Sequence, residues 1–210
     1  MNCEKLCNAI KKIAWGYILI HVNFSLNTLN ILPDWAGYLL FLSAIPMIGE
    51  EDESTNLLIP LGKMICAAEV FFWGNEIFGN PFNLYLIEIV ASVLSLYFHF
   101  QLLTNLANVA RKYECSQEKK ILCLRTVKTI LLTIFAVFNS LYFYISNDIA
   151  NIVFISLAIV YLVIAIWICK VLLAFKNELY NKMKMAESVL QEEVITEWQT
   201  FGDLCYRQDL

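Results

Sequence analysis

Six stretches of the chain are almost entirely apolar, and each contains at most two charged residues. A helix that crosses the hydrocarbon core of a bilayer needs about 20 such residues, because each residue adds about 1.5 Å. The pattern therefore predicts an all-α fold, a polytopic membrane bundle of six transmembrane helices. The predicted spans cover residues 13–31, 33–49, 56–74, 82–103, 128–146 and 149–170, within a transmembrane domain over residues 1–175.

Turn-forming residues separate these stretches. Pro33 follows the run 30–32 and suits the first turn of a helix, where its missing N–H costs nothing. Gly79, Asn80 and Pro81 precede the fourth span in the same way. The breaks therefore support the division into six helices.

The composition excludes two broad classes of protein. Apolar residues make up 59% of the chain and charged residues 16%, whereas soluble domains have about 45–50% and about 25%. Disorder requires low hydrophobicity, so it is excluded. A net charge of −4 argues against a nucleic-acid binder, because such proteins present basic surfaces. We expect the lipid bilayer, and no nucleic acid, as a partner.

The basic residues indicate how the chain is oriented. All 15 lysines and arginines lie in, or next to, the segments 1–12, 50–56, 104–128 and 170–210, which six spans place on one side of the membrane. The three opposite loops contain none. Because basic residues accumulate in cytoplasmic loops, we expect both termini in the cytoplasm. The cysteines lie on that same side apart from Cys66, which is typical of a reducing compartment without disulfides.

Span four contains the best candidate chemistry. Glu88, Ser92, Ser95 and His99 follow one another at helical spacing and form a polar stripe along one face. Glu69 in span three lies at about the same depth as Glu88. Ionisable residues inside a span usually face the bundle interior or a cavity. Such a pair of carboxyl groups would carry protons or bind a cation, or each would be an isolated packing residue.

Span one is polar on two faces, so it is poorly suited to face lipid. Asn23 and Asn27 share one face, and His21 lies almost opposite. Asn139 in span five lies in the same outer half. Asparagines across helices often serve only as hydrogen-bonding contacts. The alternative is a ligand site, whose candidate residues are His21, Asn23, Asn27, Glu69, Glu88, Ser92, Ser95, His99 and Asn139.

No motif of catalysis, phosphate binding or metal binding is present. The chain has only 7 glycines and 2 histidines, so neither a phosphate-binding loop nor an H-E-x-x-H zinc site is expected. We therefore expect no catalytic residue, no metal and no cofactor, and an intramembrane enzyme is the third hypothesis.

The tail over residues 176–210 carries an amphipathic stripe. Leu179, Met183, Ala186, Leu190, Val194 and Trp198 recur at helical spacing. Three interpretations remain open. The tail extends span six and packs on the inner loops, or it lies on the membrane surface, or it binds a partner protein or a second copy.

One segment carries a resemblance to known proteins. Residues 23–40 read NFSLNTLNILPDWAGYLL. This Asn-rich helix followed by I-L-P-D and then G-Y resembles a hairpin of small, uncharacterised multi-pass membrane proteins of Firmicutes. The resemblance covers about 20 of the 210 residues. It implies a bacterial cytoplasmic membrane and no particular activity.

By size and number of spans the chain is also similar to the six-helix substrate-capture subunits of energy-coupling-factor vitamin transporters, as an architecture and not by motif. Our leading hypothesis is a small-solute or ion-binding membrane component, such as a transporter subunit, with its site in the outer half of the bundle. The alternative is a structural or regulatory membrane protein that acts through its cytoplasmic tail and inner loops.

Overall fold

The computed structural model describes residues 3–21, 25–26, 29–30, 33–79, 81–141 and 147–208; residues 25–26, 29–30, 139–141, 147–151, 154 and 189–208 are described by their backbone alone. The helices are α1 (Cys3–His21), α2 (Asp34–Gly49), α3 (Leu58–Ile77), α4 (Tyr85–Lys112), α5 (Glu118–Leu141) and α6 (Asn147–Gln208). A short 3₁₀ helix, Glu53–Leu57, precedes α3. The predicted all-α fold with six helices is confirmed.

Among the residues that the structure describes, four helical segments are long and apolar enough to cross a membrane. They are Glu53–Ile77, Tyr85–Lys112, Glu118–Phe138 and Ile155–Ser188. The helix α2 is apolar but shorter, at 16 residues. The helix α1 contains Glu4, Lys5, Lys11 and Lys12 in its first half. Membrane association is therefore supported by four long helices, and α1 and α2 form a shorter pair beside them.

The first helix differs from the predicted span over residues 13–31. It begins at Cys3 and ends at His21, and the chain then forms two strands of two residues each, β1 (Ser25–Leu26) and β2 (Leu29–Asn30). The strands pair antiparallel, with Ser25 opposite Asn30. Asn, Ser and Thr side chains compete with helical backbone hydrogen bonds, which explains why an uncharged but polar run does not continue the helix.

Two glycines bring α1 and α2 into close contact. A Cβ atom added to Gly37 would lie 2.8 Å from the backbone oxygen of Gly16 and 2.5 Å from Cγ1 of Ile20. A Cβ atom added to Gly16 would meet the ring of Phe41 at the same 2.5 Å. Small residues allow two helix backbones to approach closely. The two glycines therefore allow the backbones of α1 and α2 to come close together where the helices cross.

Four segments meet at one end of the bundle, which we call the basic end. They are the start of α1, residues 50–57, residues 112–118 and residues 176–184 of α6. Lys112 forms an ion pair with Glu51 at 2.6 Å. The Cys7 thiol donates to the backbone oxygen of Lys176 at 3.7 Å. The segments that six spans would place on one side of a membrane therefore lie at one end of the structure.

The helix α6 is continuous over 62 residues. It passes through residues 175 and 176 without a break, so the predicted tail continues the helix of the sixth span. Phe175 and Leu179 are buried against the body, whereas Met185 is 69% exposed. The helix therefore packs on the bundle as far as the basic end and leaves the body beyond it.

Candidate functional site

A lysine lies inside the bundle. Lys128, ten residues after the start of α5, is 1% exposed, and its Nζ atom is 3.0 Å from Nε2 of His21 at the end of α1. The same Nζ lies 4.9 Å from the ring centre of Tyr17 and 5.3 Å from that of Tyr161 in α6. Three helices therefore surround the amine.

The hydrogen bonds of His21 fix its tautomer. Its Nδ1 is 2.6 Å from the backbone oxygen of Tyr17, one turn earlier in α1. A carbonyl oxygen only accepts, so Nδ1 carries the proton and donates. The Nε2 atom of the neutral ring then has a lone pair, which accepts from the amine of Lys128. The ring of Tyr161 stacks on His21 with the centroids 4.2 Å apart.

A second histidine extends these contacts towards α2. His99 in α4 is 1% exposed, and its two ring nitrogens lie 3.3 Å from the hydroxyl of Tyr17 and 3.4 Å from that of Tyr38. The Tyr38 hydroxyl is also 2.8 Å from Oγ of Ser95. We call the whole group the polar network; its members are Tyr17, His21, Tyr38, Ser95, His99, Lys128 and Tyr161.

The charge of Lys128 has no acidic counter-ion within the described part of the chain. Both ion pairs found there, Arg111–Glu118 and Lys112–Glu51, lie at the basic end. Cation–π contacts contribute up to about 2 kcal/mol each when desolvated, whereas burying an ion costs several kcal/mol. The two tyrosine rings therefore offset only part of the cost of a charged Lys128.

Two carboxyl groups lie near the other side of the network. Asp34 at the start of α2 and Glu69 in α3 are half-buried, and they interact electrostatically with each other and with Tyr38 and Tyr161. The buried Oδ1 of Asp34 has no hydrogen-bond partner. The structure therefore places an amine and two carboxyl groups around the same tyrosines.

The structure brings together three of the nine residues predicted for the site, namely His21, Ser95 and His99. Glu69 is half-buried beside Tyr38. Glu88 is exposed and so is Ser92, whose hydroxyl donates to the backbone oxygen of Glu88. The polar stripe of span four is thus buried at one end only. Asn23 and Asn27 lie outside the described residues, and the side chain of Asn139 is not described.

The sequence reasoning missed Lys128 and the three tyrosines. By its position in the sequence, Lys128 belongs to the basic segment 104–128 that precedes span five. In the structure Lys128 lies ten residues after the start of α5, which raises it about 15 Å above the basic end. Tyr17 is recognisable one turn before His21 on the same helix face.

The basic end contains a second group of polar contacts, outside the spans. The pKa of Tyr113 is raised to about 12 by burial and by the nearby Glu51. Burial also raises the pKa of the Cys115 thiol, with a smaller contribution from Glu178. A groove of about 930 Å³ opens here, where α6 leaves the body. Its lining includes Cys3, Glu4, Lys112, Tyr180, Lys182 and Lys184.

Within the described segments, no three His, Cys, Asp or Glu side chains are grouped as metal ligands. No protein-family model, curated protein or solved structure matches this chain. The function must therefore be argued from the geometry of the polar network.

Proposed function

We propose that this chain is an integral membrane protein that binds a small solute or ion at the polar network, as a membrane transport component. The proposal keeps the class of function expected from the sequence. It moves the site away from Glu88 and Asn139 and centres it on Lys128.

One observation carries the proposal. Five helices each contribute a polar side chain to a single cluster around a fully buried lysine. Ionisable residues within membrane helices are expensive, and those that persist usually mark pathways or binding sites for ions and substrates. A packing role would be met by apolar residues at lower cost, because no charge would then have to be desolvated.

We further propose that the basic end faces the cytoplasm of a bacterial cell. The distribution of lysine and arginine supports this orientation. If α1 and α2 enter the membrane and leave it on the same side, the chain crosses it four times, through the four long helices. If both α1 and α2 span the membrane, the chain crosses it six times. Either number is even, so both termini lie on one side.

The test compares solute binding to the wild type and two tyrosine variants. The purified protein in lipid nanodiscs is screened by thermal unfolding against small cations, small anions and neutral solutes. Tyr38→Phe removes the hydroxyl that contacts Ser95 and His99. Tyr97→Phe is the matched control, because Tyr97 is a tyrosine of α4 that is 56% exposed and lies outside the polar network.

We expect at least one solute class to raise the unfolding temperature of the wild type and of Tyr97→Phe. For Tyr38→Phe we expect the affinity for that solute to fall by about threefold or more, since one net hydrogen bond contributes about 1 kcal/mol. The proposal fails if no class of solute shifts the wild type, or if the two variants respond alike.

A second candidate function rests on α6. The helix continues as far as Gln208, and Met185 is 69% exposed where it leaves the body. We propose as the alternative that this extension binds a protein partner. Deleting residues 189–210 removes the extension but keeps Leu179 and its contacts. Loss of a crosslinked partner after this deletion, with unchanged solute binding, supports this alternative; an unchanged set of crosslinked proteins contradicts it.

A further inference from the structure

We infer that the ligand of the polar network is a small monoanion, either a halide or a short carboxylate, held against the ammonium group of Lys128. This inference rests on the proposed function and specifies the chemistry of its ligand.

The donors of Lys128 point to an acceptor ligand. A lysine ammonium has three N–H donors and no acceptor. One donor is taken by Nε2 of His21 at 3.0 Å. His21 cannot supply negative charge, because its other nitrogen already donates to the backbone oxygen of Tyr17. The other two N–H donors therefore face the rings of Tyr17 and Tyr161. Aromatic rings are weak hydrogen-bond acceptors, so they stabilise a buried ammonium group only weakly.

The charge count selects a single negative charge. Lys128 is the one amine in the polar network, and its other members are hydroxyl and imidazole groups. A monoanion neutralises this charge, whereas a dianion would leave one buried negative charge uncompensated. The nearby Asp34 and Glu69 oppose a dianion further, because they interact with the same tyrosines.

The protein's own carboxyl groups do not occupy this position. No carboxyl oxygen of Asp34 or Glu69 lies within 4.0 Å of Nζ of Lys128. Both carboxyl groups interact electrostatically with Tyr161, whose ring centre lies 5.3 Å from the amine. No carboxylate of the described residues therefore neutralises the ammonium group directly, which favours an anion from outside the chain.

The experiment measures thermal unfolding of the wild type in nanodiscs of zwitterionic lipid at fixed ionic strength. Sodium chloride, sodium acetate, choline chloride and sodium sulfate are compared. We expect the unfolding temperature to rise with chloride or acetate by about 3 °C or more at ten times the dissociation constant. Choline chloride should act as sodium chloride does, and sulfate should have no such effect.

The variant Lys128→Met should lose this response. The control is Lys63→Met, because Lys63 is an exposed lysine on α3, and its response should match the wild type. A response to chloride alone identifies a halide site, and a stronger response to acetate identifies a carboxylate site. Because the wild-type series needs no variant, the inference stays testable even if Lys128→Met does not fold.

The inference is overturned if sulfate stabilises the wild type as well as chloride and acetate do, since that result reflects a general salt effect and not the binding of a monoanion. It is also overturned if the effect follows sodium, or if Lys128→Met keeps the response. If only a cation or only a neutral solute stabilises the protein, the ligand is not a monoanion, and the proposed function still holds. No stabilisation by any solute would overturn both.

Discussion

Leu102 and Leu86 lie on the same helix, yet Leu102 is completely buried and Leu86 is 76% exposed. The contrast extends to the whole bundle. The half of the bundle nearer the basic end, which we call the packed half, contains α1, α2 and the second half of α4. The large apolar side chains that these helices turn inwards are almost all buried. The apolar half comprises residues 70–79, 81–97, 130–138, 152–153 and 155–167. These residues are also mainly apolar, yet most of them are exposed.

The difference shows two uses of apolar residues in one chain. In the packed half they contact one another, as in the core of a soluble protein. In the apolar half they cover the helices with a surface that only lipid solvates well. The polar network lies where the halves meet, because Ser95, His99 and Lys128 occupy the last buried turns of α4 and α5. A site there is enclosed by protein on one side and adjoins the membrane-facing helices on the other.

The largest expected effect tests this contrast within α4. Leu102→Ala should lower the free energy of unfolding by about 2–5 kcal/mol, because it opens a cavity in the packed half. Leu86→Ala should change it by no more than about 0.5 kcal/mol. Both are measured by detergent-induced unfolding in mixed micelles. Equal effects would show that the apolar half is packed against something other than lipid.

A smaller effect is expected at the crossing of α1 and α2. Gly37→Ala should cost about 1–3 kcal/mol, because the new methyl group would meet the backbone of Gly16, which cannot turn away. Gly74→Ala is the matched control, since nothing lies within 4 Å of its added Cβ. Both variants are compared by thermal unfolding. If Gly37→Ala is as stable as Gly74→Ala, the two helices do not approach closely at this point.

The smallest effect concerns a polar contact at the basic end. The carboxylate of Glu178, beyond the uncharged run of α6, accepts from the backbone N–H and the hydroxyl of Ser116 at 2.7 and 2.9 Å. Burial raises the pKa of Glu178, but these hydrogen bonds and the nearby Lys182 outweigh burial, so the pKa lies below 4.5. The contact therefore ties α6 to the loop before α5 while the carboxylate is charged.

A depressed pKa in the folded state stabilises the protein above the unfolded pKa, and this contribution is lost as the pH falls through the folded pKa. The wild type should therefore lose stability relative to Glu178→Gln below about pH 4.5. Glu187→Gln, which changes an exposed residue of the same helix, should follow the wild type. Unfolding temperatures between pH 7 and pH 3 give the answer. Parallel curves for the wild type and Glu178→Gln would show that the contact contributes nothing.

The helices were predictable from the sequence wherever apolar runs have clear ends. Tyr85–Lys112 begins close to the expected start of span four at residue 82, but it continues nine residues beyond the expected end at residue 103. The end of α1 was not predictable from the absence of charge alone, because an uncharged run of Asn, Ser and Thr is still unsuited to a long helix. His21, where α1 ends, became part of the site for this reason.

The site was predictable only in part, because helical spacing shows which residues share a face but not where that face points. Ser95 and His99 turn towards Tyr38, whereas Ser92 and Glu88 on the same stripe are exposed. Packing against α2 decides this, because Tyr38 of α2 contacts α4 at Ser95, Phe98 and His99. The position of Lys128 likewise depends on where α5 begins, which no residue next to it indicates.

The unbroken α6 gives the molecule a lever arm. From Tyr161 in the polar network to Gln208 the helix runs for about 70 Å, at about 1.5 Å per residue. A tilt of about 5° at Tyr161 would displace the far end by about 6 Å, if the helix moves as one rod. Binding of a ligand inside the membrane would then change the position of the far end of α6, well outside the membrane.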